Sequence, residues 1–218
     1  GAILKRTINV PIVTTVHSDY RLDYLGRPFH RLTYGTINTI SLRMFDYHIG
    51  VSDAMVQLLI SRGFNPQKLF SIYNGVAFPP EKPSLSRGEY LESLGVSYDE
   101  DTVVFGIAAR LNPVKDIATL IRGFAGACRK CPNIRLVIAG DGEERQMLES
   151  LAKETCPAGS VVFAGWVKDT DSFYHAIDVN MLTSLSEGSP YALVEGARMR
   201  CATIATSVGG IPYMMESG

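Results

Sequence analysis

Eight short runs rich in Val, Ile, Thr and small apolar residues recur along the chain, separated by stretches with apolar residues at helical spacing. Strands separated by helix-length segments cannot pair through tight hairpins. The pattern therefore predicts an α/β protein with parallel sheets wrapped in helices. The runs cover 10–16, 47–51 and 69–73, then 102–109, 134–139, 160–164, 178–183 and 203–206. Ser52 is placed to cap a helix that stops at Gly63, and Ser189 to cap another with Pro190 at its first position. Val76-Ala-Phe-Pro-Pro-Glu-Lys-Pro83 lies between the third and fourth runs and suits neither helix nor sheet interior, so the linker is expected near it. Two units follow, 1–80 and 81–218. The first has few strands for a doubly wound sheet, and an unpaired edge and an apolar face are expected there, with low solubility or self-association as the consequence.

At 218 residues, 46% of them hydrophobic and 20% charged, the chain can bury a core and is neither disordered nor fibrous. Twenty-one Lys and Arg against 22 Asp and Glu leave a formal charge of -1, so no bulk field recruits nucleic acid and any anion must be held locally. No apolar run approaches a membrane span, and the first residues lack the regions of a signal peptide, which points to a cytoplasmic protein. Cys128 and Cys131 are close in sequence but have neither a second close pair nor a nearby His. Cys128 continues the apolar stripe of Ile117, Leu120, Ile121 and Phe124 and is expected to be a buried thiol, with no metal site.

Chemistry concentrates after the strands, where open α/β sheets bind ligands. Glu187 sits in the loop before the helix expected at Pro190, and Glu195 lies within that helix. The helix N-terminus would favour an anion, and the two carboxylates could reach the two ends of a hydroxyl-bearing ligand. Taken alone, a solvated loop Glu and a helix-surface Glu remain an open reading. Arg110 and Lys115 are the cations on the loop after run 102–109 and suit a pyrophosphate; a packed Arg and a solvated Lys are the alternative. Gly140 and Gly142 in Ala139-Gly-Asp-Gly142 allow close approach of a ligand to backbone. His17 ends the first strand, whereas His30, His48 and His175 are expected only to pack or hydrogen-bond. Asp169-Thr-Asp171 precedes a helical period and reads as capping rather than metal binding. Arg21, Arg27 and Arg31 flank Tyr24, Leu25 and Phe29, a pattern that fits either a membrane or anionic surface or a solvated helix start.

In this order the segments resemble the retaining GT-B glycosyltransferases of family 4, also called glycosyl transferases group 1. The resemblance spans the chain. It rests on Glu187 to Glu195, Ala109-Arg110-Leu111 with Lys115, Ala139 to Gly142, Val208-Gly209-Gly210, Asn74 to Val76 and His17. It implies two Rossmann-like parallel-sheet domains, both incomplete at the chain ends, with further segments in the full-length enzyme. It also implies that Arg110 and Lys115 hold the donor pyrophosphate, that Glu195 bonds the ribose, and that Glu187 with the backbone after Gly188 addresses the sugar. Gly140, Ser189, Pro190 and Leu193 would join the donor site, His17 would line the sugar and acceptor side, and the base would lie against Gly165-Trp166-Val167.

The implied activity is hexosyl transfer, independent of metal and cofactor. A nucleoside diphosphate sugar, UDP favoured and GDP next, would be the donor. The acceptor would be a polysaccharide, lipid-linked or other glycoconjugate of cell-envelope synthesis, reached at the inner face of the membrane. The fragment alone is expected to be inactive. Two other readings are carried: a nucleotide-sugar-binding fragment without turnover, and a GT-B-like sugar nucleotide epimerase, which would not need the Glu187 to Glu195 spacing. The chain departs from the family pattern at Arg200, where Gly is usual, at Ala202, where Pro is usual, and at Ala77 and Ala109.

Overall fold

The computed structural model describes residues 10–19, 28–78 and 82–216, with side chains in the second stretch from Thr36 onward. Arg21, Tyr24, Leu25 and Arg27 of the basic and aromatic pattern, with the side chains of Phe29, His30 and Arg31, lie outside the described residues. All eight expected strands are present. β1 (Val13–Val16), β2 (Tyr47–Gly50) and β3 (Leu69–Ser71) form a parallel sheet in sequence order. β4 (Val103–Ala108), β5 (Ile134–Ala139), β6 (Val161–Gly165), β7 (Val179–Leu182) and β8 (Ala202–Ala205) form a second parallel sheet in the order β6-β5-β4-β7-β8. Strand order reverses at β4, which leaves a crevice beyond the carboxyl ends of β4 and β7. The helices are α1 (Pro28–Arg43), α2 (Asp53–Ser61), α3 (Arg87–Ser93), α4 (Ile117–Cys128), α5 (Arg145–Thr155), α6 (Thr170–Ala176) and α7 (Tyr191–Arg198). None among the described residues is long and apolar enough to cross a membrane.

In the three-stranded sheet, Val16 and Leu69 are buried against Met55 and Leu59 of α2 and against Phe64. Ser52 caps α2 as its sequence position implies, accepting from the Met55 N–H at 3.2 Å. His48 is buried, bonded through Nε2 to the Leu42 carbonyl at 2.8 Å and set edge-on to Phe64. Val13, Tyr47 and Phe70 on the other face stay exposed, the apolar face expected of this unit.

The five-stranded sheet is covered on both faces, as a parallel sheet requires. Ile117, Ile121 and Phe124 of α4 and Leu148 of α5 pack on Leu136 and Ile138. Cys128 joins that cluster as a buried thiol, and Leu91 of α3 with Phe173 and Tyr174 of α6 covers Val104 and Val137 on the opposite face. Asp169 caps α6, accepting from Ser172 N at 3.0 Å and Ser172 Oγ at 2.6 Å, so Asp169-Thr-Asp171 is a helix start.

Compactness divides the chain differently from 1–80 and 81–218. One unit comprises 1–74, 186–190 and 207–218, and the other 75–185 and 191–206. Glycines explain why the distant segments join the first unit. A Cβ on Gly188 would strike the His17 carbonyl and Val51, and one on Gly210 would strike the Gly188 carbonyl and Ser52. Helix α7 also opens one residue later than expected, at Tyr191. Ser189 is not its cap. The Ser189 Oγ accepts from Asn74 N at 3.2 Å and its carbonyl from Asn74 Nδ2 at 2.7 Å.

The end of α7 accounts for the unusual Arg200. Arg200 has φ +64° and donates its N–H to the Ala197 carbonyl at 3.0 Å, while Cys201 N–H reaches Gly196 at 2.9 Å. These paired bonds are a Schellman stop, which normally carries Gly at the left-handed position. Arg200→Gly is therefore expected to stabilise the protein by about 1 kcal/mol, read as a higher denaturation midpoint at unchanged slope. An equal or lower midpoint would contradict this account of the helix end.

Candidate functional site

The site is assembled by backbone. Beyond the carboxyl ends of β4 and β5, Ala109 N–H donates to the Ala139 carbonyl at 2.9 Å, Leu111 N–H to Asp141 at 3.0 Å and Glu144 N–H to Leu111 at 3.1 Å. Gly140 N–H then reaches the Gly165 carbonyl at the end of β6, at 2.6 Å. Loops can be laced this tightly only where side chains are missing. Gly140, at φ +130°, would drive a Cβ into the Ala109 carbonyl, and Gly142 would drive one into that of Leu111. Both glycines thus admit a neighbouring loop.

The laced loops open onto a cavity of about 240 Å³ within the second unit. Arg110, Gly140, Trp166, Val167 and Glu195 all line it. Thr170, Phe173 and Tyr191 line it too and were not singled out in the sequence. Tyr191 could have been found from its place in the first turn of α7, whereas nothing local marks Phe173. Trp166 is 78% exposed, an indole face left open to solvent. Lys115 lies outside the lining, on the turn Pro113–Lys115 that follows Arg110. That turn is pinned to the end of β7: Thr183 Oγ1 donates to the Lys115 carbonyl at 3.0 Å and Leu185 N–H to Val114 at 2.8 Å. Asp116, at φ +44°, then caps α4. A larger cavity of about 330 Å³, between α5 and β6 near Cys156, holds none of the candidate residues.

Glu195 is the electrostatically unusual member. Burial pushes its carboxyl above the ordinary range, opposed by the Tyr174 hydroxyl and by Arg198, while Asp171 adds to the rise. Arg198 is held by an ion pair with Asp171 and donates to the Ala77 carbonyl at 3.2 Å. Asn180 of β7 fixes the start of the helix, giving its Nδ2 to the Ala192 carbonyl at 2.9 Å, and Gly196 leaves room for that amide.

Residues 95–218 match the model of the family described as glycosyl transferases group 1, and residues 1–78 match that of glycosyltransferase family 4. The chain belongs to the glycosyl transferases group 1 family. An uncharacterised glycosyltransferase of Methanocaldococcus jannaschii is 31% identical over 99% of this chain and 56% of its own length. A phosphatidylinositol N-acetylglucosaminyltransferase component from Arabidopsis thaliana is 28% identical over 96% of the chain and 44% of its own length. The chain thus spans about half the length of the curated relatives it matches. Among solved structures, Anabaena HepE in complex with UDP-glucose superposes with a TM-score of 0.82 at 24% identity, covering all of this chain and 59% of that one. The fold is GT-B.

Within this family member the sequence candidates separate into two groups. Arg110, Gly140, Trp166, Val167 and Glu195 share the cavity of the second unit, with Lys115 on the adjoining turn. Glu187, Gly188, Ser189 and Pro190 belong to the first unit, where Gly188 lies over the His17 carbonyl. Leu193 does not line the cavity. At 5% exposure it is packed in the core, because its place on α7 turns it inward.

The lacing predicts opposite outcomes for two glycines. Gly140→Ala should cost about 2 kcal/mol or more, since strain and backbone overlap act together. Gly123→Ala in α4, where an added Cβ meets nothing, should stabilise by about 0.5–1 kcal/mol. Thermal melts of both variants check this, and a harmless Gly140→Ala would contradict it.

Proposed function

We propose that this chain carries the donor site of a retaining, metal-independent hexosyltransferase that takes its sugar from a nucleoside diphosphate, with UDP preferred over GDP. The observation that carries the reading is the convergence of Arg110, Trp166 and Glu195 on one cavity at the carboxyl edge of a parallel sheet, beside the N-terminal turn of α7. The fit to a nucleotide is chemical. Trp166 offers a flat apolar face to a base, Glu195 accepts from a ribose diol, and Arg110 with Lys115 meets the diphosphate. As the bond from the sugar anomeric carbon to the diphosphate oxygen breaks, negative charge gathers on the leaving group. Two fixed cations and a helix N-terminus stabilise that charge without a metal or cofactor.

The acceptor hydroxyl then bonds the anomeric carbon on the face the diphosphate leaves, and its proton passes to the departing phosphate, so configuration is retained. Glu187 and His17 are the residues that the family resemblance assigns to the sugar. UDP-glucose in HepE supports the donor class. The Arabidopsis relative and an Escherichia coli galactosyltransferase acting on a diphosphoundecaprenol-linked sugar, 26% identical over 96% of this chain, support a lipid-linked acceptor, which on this reading is met at the cytoplasmic membrane face.

Calorimetric titration with UDP, UDP-glucose, GDP and ADP tests the reading. UDP and its conjugate should bind best, and Lys115→Ala and Glu195→Gln should each weaken UDP by about 10- to 100-fold, the worth of a charge-assisted bond. A folded chain that binds no nucleotide, or whose UDP affinity neither variant changes, would overturn it.

Glu195 adds a signature in pH. Ribose binding needs the carboxylate, and burial raises the pH at which it forms, so UDP affinity should fall on acidification while an exposed Glu is still ionised. Stability runs the other way. A raised carboxyl pKa makes a contribution that is present below the unfolded value and is lost as pH rises through the folded one. Glu195→Gln should therefore melt at a higher temperature than the parent at neutral pH while binding UDP more weakly.

A further inference from the structure

Tyr174 of α6 is 1% exposed, its ring set edge-on to Phe173 with centroids 5.0 Å apart. Its hydroxyl is buried, yet among the described residues it makes no hydrogen bond of ordinary geometry. Such a group asks for a reason, because phenylalanine would fill the same space without stranding a polar atom. The hydroxyl interacts with one carboxylate, that of Glu195 on the neighbouring helix α7, which lines the cavity from which Tyr174 itself is absent. Geometry of this kind tightens when a ligand draws the carboxylate into line.

We propose that Tyr174 is a positioning residue, its hydroxyl donating to the Glu195 carboxylate and holding it turned toward the ribose of a bound nucleotide. The inference rests on the reading of Glu195 as the ribose ligand. Tyr174 itself touches no nucleotide.

The other charged groups around Glu195 leave this role to Tyr174. Arg198, on α7 itself, favours the carboxylate but is committed to Asp171 of α6, whose own charge opposes it. Strands β7 and β8, which pack under α7, carry no titratable side chain. His175 of α6 is exposed, Arg110 lines the same cavity, and Cys201 is engaged through Sγ with the Tyr174 carbonyl at 3.1 Å. Removing the Tyr174 hydroxyl leaves burial of Glu195 less opposed, so the carboxylate should form only at higher pH.

The test is UDP titration as a function of pH, from neutral into the acid range, for the parent, Tyr174→Phe and Glu195→Gln. Tyr174→Phe keeps the ring and should melt no lower than the parent. UDP affinity at neutral pH should fall about 3- to 10-fold, and the acid limb of binding should move up by about half a pH unit. A structural role alone would leave that limb in place. If Glu195→Gln weakens UDP while Tyr174→Phe moves neither affinity nor limb, the role of Tyr174 is overturned and the ribose reading stands. If Glu195→Gln leaves UDP unchanged, the ribose reading falls and Tyr174 with it. Should Tyr174→Phe fail to fold, 3,5-difluorotyrosine introduced at position 174 keeps the shape and donates more strongly. The limb should then move to lower pH, and an unmoved limb would overturn the proposal.

Discussion

The contact between Gly140 and the Ala109 carbonyl is the constraint on which the second unit depends. Two strand-end loops can share backbone hydrogen bonds only if one of them lacks a side chain at the crossing. With Gly140 and Gly142 in place, Arg110 leaves β4 at a fixed height beside the ends of β5 and β6. The turn that carries Lys115 is held from the other side by the end of β7. A cation on a free loop would lose conformational entropy on meeting a phosphate, whereas these loops are ordered before any ligand arrives.

A second tension runs through α7. Its N-terminal turn faces the cavity, its middle carries a half-buried carboxylate and its end is stopped by a residue in a left-handed conformation that Gly would adopt at less cost. Each feature works against stability. The helix stays in place because Asn180 holds its first turn, Arg198 ties its last turn to α6, and Gly196 lets it lie close to β7. Strain kept at a cavity-facing element and supported from behind is the arrangement expected of a functional site.

Most of the scaffold was legible from the residues. The eight runs marked the eight strands, and in the five-stranded sheet they did so because strands covered on both faces need apolar side chains on both, as Leu136, Val137 and Ile138 show. Ser52 and Asp169 were readable as caps since each lies one residue before a helical period. Ser189 misled for the same local reason. Its hydroxyl and carbonyl are claimed by Asn74, 115 residues earlier, and no local pattern reveals such a partner. The grouping of 186–190 with the first strands was equally hidden, being decided by Gly188 against His17. Of the candidate site, Arg110, Lys115, Trp166 and Glu195 were visible in sequence, whereas Tyr191 was passed over. Phe173, a core residue that also lines the cavity, and Tyr174, a core residue with a stranded hydroxyl, were not visible.

A crystal structure of this chain with UDP would locate the nucleotide outright. The nucleotide is expected in the 240 Å³ cavity, with its base against Trp166 and Val167, its ribose hydroxyls on Glu195 and its diphosphate toward Arg110 and Lys115. A nucleotide ordered elsewhere, such as the cavity beside Cys156, or one whose ribose turns away from Glu195, would contradict it.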